Sequence, residues 1–286
     1  MKAAVIVNTG KENAIKCAKK IVALFLENNV KVYMHRECKE YFCDPNVTIT
    51  ADHYKLFETV DFAVTVGGDG TIIHSAKHAA ENDVPMIGVN VGRLGFAAEV
   101  EPDNIDDLKR VLVGDYTVQN RMLLSVKVLH SDNTEEEFLA VNDATLARGQ
   151  MSRIIDIFIS LNNSPVTNYR ADGVLFSTPT GSTAYALSAG GPILSPDMQC
   201  ILLTPICPHS LISRSVLFND EDTLSATVKL SDNTKAILSI DGEKNIEITP
   251  EDRVIVKKSD KQLKLITIYE RNFYQLLDEK LKERKS

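Results

Sequence analysis

The stretch Asp61-Phe62-Ala63-Val64-Thr65-Val66-Gly67-Gly68-Asp69-Gly70-Thr71-Ile72-Ile73-His74-Ser75-Ala76-Lys77-His78-Ala79-Ala80 decides the fold of the first half of the chain. Its apolar opening reads as a buried β-strand and its end as a helix. Strand, glycine turn, helix is the geometry in which backbone N–H groups and a helix N-terminus face an anion. Gly67, Gly68 and Gly70 permit φ > 0 and remove the Cβ atoms that would hold a phosphate away. Asp69 is the odd member, because phosphates repel a carboxylate unless a metal or a proton to abstract justifies it. Two readings follow: a tight turn in which Asp69 caps the helix, or a phosphoryl-transfer loop.

Working outward, strand and helix alternate. Lys2 to Asn8 reads as a strand, Asn8-Thr9-Gly10-Lys11 as a loop, and Ala14 to Asn28 as a helix through Ile15, Ala18, Ile21, Val22, Phe25 and Leu26. Lys31 to His35, Asp61 to Val66 and Pro85 to Asn90 supply three more strands, whereas Arg36 to Lys55 is polar and unassigned. This βαβαβαβ order implies a Rossmann-like α/β domain, a mostly parallel sheet with ligands at the C-terminal ends of its strands. Asn8 to Lys11 superficially resembles a Walker A sequence. It lacks the first glycine and a Ser or Thr after the lysine, so it reads as a strand-to-helix turn.

After a charged helix at Asp103 to Leu112, the pattern changes to short β-rich runs: Leu123–His130, Glu137–Ala147, Ile154–Leu161, Val174–Ser177, Thr223–Leu230, Ala236–Ile240 and Arg253–Lys258. Turn signals at Ser131-Asp132-Asn133, Asn162 to Pro165, Ser231-Asp232-Asn233 and Asp241-Gly242 separate them, as in an antiparallel sandwich. The tail from Asn272 to Arg284 is helical again. The expected organisation is an α/β domain over 1–120 carrying the phosphate loop, and a β-rich, sandwich-like domain over 121–260. A C-terminal segment, 261–286, packs back on the first.

The 286 residues are 44% hydrophobic and 25% charged with net charge -7, which argues against a general nucleic-acid binder. No apolar run is long enough to span a membrane, and the N-terminal run has no cleavage pattern, so it reads as a strand. The five cysteines, Cys17, Cys38, Cys43, Cys200 and Cys207, are dispersed without zinc-like spacing and fit reduced thiols in the cytoplasm.

A second dense stretch runs from Asp172 to Pro192 and includes Ser177-Thr178-Pro179-Thr180-Gly181-Ser182-Thr183-Ala184-Tyr185-Ala186-Leu187-Ser188. Its small hydroxyls, glycines and single aromatic ring suit a flat, polar ligand such as a nucleotide. Tyr185 would stack on a base or ribose, and Asp172 would accept from a ribose hydroxyl or exocyclic amine. The plainer reading is a Ser/Thr-rich turn and helix cap, the helix starting near Ser182 or Thr183. Asn142-Asp143 interrupts an apolar β run, either as a turn or as a pair gripping vicinal ribose hydroxyls. Arg153 and Arg170 are isolated cations with the fork geometry phosphate prefers. His74, one turn into the helix, is by itself more often structural.

Taken in order, Gly67 to Thr71, Asn90-Val91-Gly92-Arg93-Leu94-Gly95-Phe96, Asn142-Asp143, Asp172 to Pro192 and Thr204 to Leu211 resemble the NAD kinases of bacteria. The first motif alone is shared with diacylglycerol and sphingosine kinases, and a lipid kinase or a non-catalytic dinucleotide sensor is the alternative. The resemblance implies phosphoryl transfer from ATP, or in some members polyphosphate, to the 2′-hydroxyl of the adenosine ribose of NAD. It makes Asp69 the general base and aligns Asp69, Gly70, His74, Asn142, Asp143, Arg153, Arg170, Asp172, Thr183, Ala184, Tyr185, Ala186, Leu187, Ser188 and Cys207 with nucleotide-contact positions. It also implies Mg²⁺ with ATP, a cytoplasmic homodimer or homotetramer in which neighbouring subunits contribute to the site, and a nucleotide lying between domains. Asp241-Gly242-Glu243 departs from the family's usual Asp-Gly-Gln.

Overall fold

Ala and branched aliphatic residues fill Lys2–Val7 (β1), and only its first residue is exposed, as expected of a strand covered on both faces of a parallel sheet. The computed structural model describes residues 1–283 apart from 93, 94, 96, 97, 150–152, 211, 212, 232, 233 and 271. Expectations placed on Arg93, Leu94, Phe96, Leu211, the Asp232-Asn233 turn and Arg284 therefore lie outside the described residues. The chain falls into two compact units, Met1–Asn120 with Leu263–Ser286, and Arg121–Gln262.

In the first unit β1 is followed by α1 (Glu12–Glu27), β2 (Lys31–His35), β3 (Val47–Thr50), α2 (His53–Glu58), β4 (Phe62–Gly67), α3 (Asp69–Glu81) and β5 (Met86–Asn90). The strands pair in parallel in the order β5-β4-β1-β2-β3. Helix α1 lays Ala14, Cys17, Ala18, Ile21 and Phe25 on Val5, Val64 and Ile87, with Phe25 meeting Phe62 edge to face at 5.6 Å. The chain runs outward from β1 through β3, then returns to the other side of β1 for β4 and β5. That reversal puts a topological switch point between the C-terminal ends of β1 and β4, where ligands of open α/β sheets bind.

The unassigned stretch Arg36 to Lys55 contains β3 and the start of α2, so the sheet has one more strand than expected. With four residues and only Val47 buried, β3 is an edge strand too short for its period to show. The charged helix at Asp103 to Leu112 is instead a 3₁₀ turn, Pro102–Leu108, kinked at Asn104 and continued by α4 (Lys109–Leu112).

Among its described residues the second unit is β apart from a 3₁₀ turn and one short helix. Its elements are β6 (Thr117–Leu129), β7 (Glu135–Ala140), β8 (Asp143–Arg148), β9 (Ile155–Leu161), β10 (Ser164–Ala171), β11 (Gly173–Ser177), α5 (Tyr185–Ser188), β12 (Cys200–Ile206), β13 (Val216–Asn219), β14 (Leu224–Lys229), β15 (Ala236–Ile240), β16 (Lys244–Ile248) and the first part of β17 (Arg253–Thr267). One antiparallel sheet has the order β13-β12-β11-β8-β15-β16, and the other contains β10-β9-β14-β17. Alternate residues such as Leu146, Val174, Phe176 and Leu238 from one sheet, and Ile157, Ile159, Leu224 and Val256 from the other, form a single core, which makes a sandwich. The last residues of β17 belong to the first unit, where Leu265 pairs with Met86, and α6 (Phe273–Glu283) follows. The expected single run Glu137–Ala147 is two strands, β7 and β8, broken at Val141-Asn142.

Candidate functional site

The turn between β4 and α3 is a single residue, Gly68, so Asp69 is the first residue of α3. Gly67 is required for space, and none of the three for φ > 0. Gly68 has φ −114° and ψ −174°, and neither Gly67 nor Gly70 has positive φ. A Cβ on Gly67 would stand 2.2 Å from Thr71 Oγ1, inside the first turn of the helix. Gly68 and Gly70 differ: a Cβ on either would meet nothing within 4 Å, so that face is open backbone beside the positive end of the helix dipole. The Asp69 carboxylate stands at the same helix end, packed so closely against Gly95 that a Cβ there would have to displace it.

Neighbouring loops complete this edge. The Asn8 amide donates to the Val66 carbonyl (3.1 Å), tying the end of β1 to β4 across the switch point. Asn8 Oδ1 accepts from the Gly10 amide (3.1 Å), which fixes the Asn8–Lys11 turn expected from its sequence. The Val91 amide donates to the Gly67 carbonyl (2.7 Å). A cavity of about 370 Å³ opens here, lined by Asn8, Thr9, His35, Cys38, Gly70 and His74. Gly70 and His74 thus share one cavity, and Asp69 precedes Gly70 in α3 without lining it.

In the second unit the candidate residues form two groups at opposite ends of β11. At its C-terminal end, Ser177 pairs with Asp143 in register. There the Thr178 amide donates to the Asn142 carbonyl (2.9 Å), and the 3₁₀ turn Thr180–Thr183 and α5 follow. Asp143 is 6% exposed, and burial raises its pKa to about 6. The Thr145 hydroxyl, donating to Asp143 Oδ1 at 3.0 Å, pulls the other way, and Asp241 adds to the rise. Tyr185 is exposed, as a stacking ring must be, whereas Ala186 is buried in a small cluster with Leu194, Cys200 and Leu202. Any ligand contact by Ala186 would therefore be through its backbone.

At the N-terminal end of β11, Arg153, Arg170 and Asp172 line a cavity of about 660 Å³ together with Arg148, Asp156 and Lys229. Arg148 Nε donates to Asp172 Oδ1 at 2.6 Å, which leaves Asp172 already engaged. Cys207, just past β12, has φ 45° and an exposed thiol, and the Asp172 amide donates to the adjoining Ile206 carbonyl (3.0 Å). Sequence reading missed Arg148 and Lys229. Both sit at strand ends, and only the β8–β11 and β9–β14 registers bring them to this cavity. A five-residue strand at ~3.3 Å per residue separates the two groups by roughly 13 Å.

A family model described as the ATP-NAD kinase N-terminal domain matches residues 3–116, and one described as the ATP-NAD kinase C-terminal domain matches residues 141–268. An NAD kinase of Thermoanaerobacter sp. is 36% identical over 285 residues, 99% of each chain. The chain belongs to the ATP-NAD kinase family. It is an enzyme, a phosphotransferase, and the lipid-kinase and sensor alternatives fall away. Solved structures of an NADH kinase and an NAD kinase share its fold. Yeast NADH kinase complexed with NADH has a TM-score of 0.90 at 25% identity, covering 100% of this chain and 89% of that one. An NAD kinase from Archaeoglobus fulgidus in complex with ATP has a TM-score of 0.76 at 25% identity, covering 99% of each. Among the described residues of this kinase no helix is long and apolar enough to cross a membrane.

Proposed function

We propose that the chain transfers the γ-phosphoryl group of ATP to the 2′-hydroxyl of the adenosine ribose of NAD, giving NADP and ADP. The observation that carries this reading is the single carboxylate of Asp69 at the N-terminus of α3, beside the open backbone of Gly68 and Gly70. A ribose hydroxyl is a weak nucleophile at neutral pH. Asp69 accepts its proton as the new phosphorus–oxygen bond forms and the bond to the β-phosphate oxygen breaks. The amides at the start of α3 offset charge on the transferring group. Asn142 and Asp143 are assigned to the vicinal ribose hydroxyls, and holding both orients the nucleophile. Gly70, His74 and the stretch Thr183–Ser188 are assigned to the nucleotide.

Among the described residues no group of three or more His, Cys, Asp or Glu side chains is placed to hold a metal ion. Mg²⁺ binds mainly through substrate phosphates and water with one or two carboxylates, so it needs no cluster of protein ligands. When bound with ATP it would supply charge neutralisation of the triphosphate, which leaves Asp69 to act as the base. We also propose a homo-oligomer in which the Arg153–Arg170–Asp172 group serves a neighbouring subunit's nucleotide. Cys207 would add shape there, and its reduced thiol accords with a cytoplasmic setting. The test is incubation with NAD and Mg-ATP, followed by coupled detection of NADPH. NADP formed one for one with ADP is expected. Absence of product across divalent metals and with polyphosphate as donor would overturn the proposal.

A further inference from the structure

We infer that Asp241 is the positioning residue for the Asn142–Asp143 pair, setting the shape of that loop by binding its three backbone amides. The inference rests on the assignment of Asn142 and Asp143 to the NAD ribose. Asp241 lies 98 residues or more away in sequence, in the hairpin turn between β15 and β16. Its Oδ2 accepts from the Val141 amide (2.9 Å), and its Oδ1 from the amides of Asn142 (2.7 Å) and Asp143 (3.1 Å). Three successive N–H groups converging on one carboxylate curve the backbone into a concave nest around the negative charge. That curvature falls at Val141-Asn142, between the end of β7 and the start of β8. The Asp241 amide in turn donates to the Asp143 carbonyl (2.9 Å), extending the β8–β15 ladder by one step.

The opposite side of the loop is held as firmly. Thr178 Oγ1 donates to the Val141 carbonyl (2.6 Å), while the Thr178 amide and Ser177 Oγ donate to the Asn142 carbonyl (2.9 and 3.1 Å). A Cβ on Gly181 would stand 2.1 Å from that same carbonyl oxygen. The peptide groups of Val141 and Asn142 are thus used internally. No partner for the Asn142 side-chain amide occurs among the described residues, which leaves it for a ligand.

The turn separates this role from a merely structural one. Asp241 and Gly242 have φ 50° and 72°, and the Glu243 amide donates to the Ile240 carbonyl (2.9 Å), a type I′ turn. Asn-Gly is the most favoured pair for that turn, so Asp241→Asn keeps the hairpin. It replaces one acceptor oxygen and the charge with an NH₂ group facing amide N–H groups. A residue needed only for the hairpin would tolerate the change. A residue shaping the ribose loop would not.

The experiment has three arms, opened by confirming that the native enzyme forms NADP. For Asp241→Asn, a KM for NAD raised tenfold or more is expected, with kcat and the KM for ATP changed less than threefold. Hydrogen exchange should show slow amides at Val141, Asn142 and Asp143 in the native protein, and fast ones in the variant with β15 and β16 still protected. Should the variant not fold, the native-protein exchange decides. Rapid exchange at all three amides of the native protein, or a native KM for NAD in a folded variant, overturns the inference. A native enzyme that forms no NADP overturns the functional reading instead, and leaves slow exchange at residues 141–143 as evidence for the loop geometry alone.

Discussion

Gly95 is packed against Asp69 so tightly that a Cβ built on it would stand 2.0 Å from Oδ1 and 2.8 Å from Cγ of the carboxylate. Ordinary van der Waals contact begins near 3.4 Å, so any side chain at position 95 must move the carboxylate or the loop. Gly95→Ala is therefore expected to displace the carboxylate proposed to accept the ribose proton. A displacement of about 1 Å at reacting groups costs on the order of 100-fold in rate. Steady-state kinetics should show kcat reduced by about that factor with a native circular dichroism spectrum. An unchanged kcat would mean that the Asp69 carboxylate tolerates a different position and that its placement is not limiting.

Removing the base while keeping its shape is the complementary change. Asp69→Asn retains size and hydrogen bonding but cannot take a proton, and general-base catalysis contributes about 10² to 10⁴ in rate. The expected result is a kcat lowered by about 10³ with the dissociation constant for NAD, measured by calorimetry, within about threefold of native. Near-native turnover would remove Asp69 from the role of base.

Asp143 gives a prediction in pH. Its folded pKa of about 6 lies above the ordinary 3.8, with burial the main cause. The folded state therefore holds this proton more tightly than the unfolded chain. The associated stability is fully present below about pH 3.8 and is lost as pH rises through about 6. Asp143→Asn carries no such loss. Between pH 4.5 and pH 7.5 the variant should gain about 2 kcal/mol on the native protein in urea unfolding. A stability difference independent of pH would show that Asp143 titrates at its ordinary value in the folded protein.

The long elements were legible in the sequence because their periods are long enough to read. α1 has sixteen residues, with an apolar stripe through Ala18, Ile21, Val22 and Phe25, and the β4–α3 turn announces itself by its glycines. The edge strand β3 and the split of Glu137–Ala147 were not legible. At the split the loop amides bind Asp241, from about a hundred positions away, and a local window carries no record of a carboxylate that will arrive later. The site divides in the same way. Asp69, Asn142 and Asp143 stand out as polar residues in apolar surroundings, whereas Arg148 and Lys229 reach their cavity only through strand register.

Thr178 tests how far the loop depends on its second clamp. Its hydroxyl donates to the Val141 carbonyl (2.6 Å) and accepts from the Gly181 amide (3.0 Å), and the residue is fully buried. Thr178→Val is close in shape and leaves both backbone groups buried without that partner. An unsatisfied buried group costs about 1–3 kcal/mol, so the variant should lose about 2–3 kcal/mol in urea unfolding. Because the Thr178 amide still holds the Asn142 carbonyl and Asp241 still holds the three loop amides, the KM for NAD should rise less than in Asp241→Asn. Thr178→Ser restores the hydroxyl and should recover most of the lost stability. Equal stability of the Val and Ser variants would show that the hydroxyl contributes nothing and that packing alone fixes this corner of the loop.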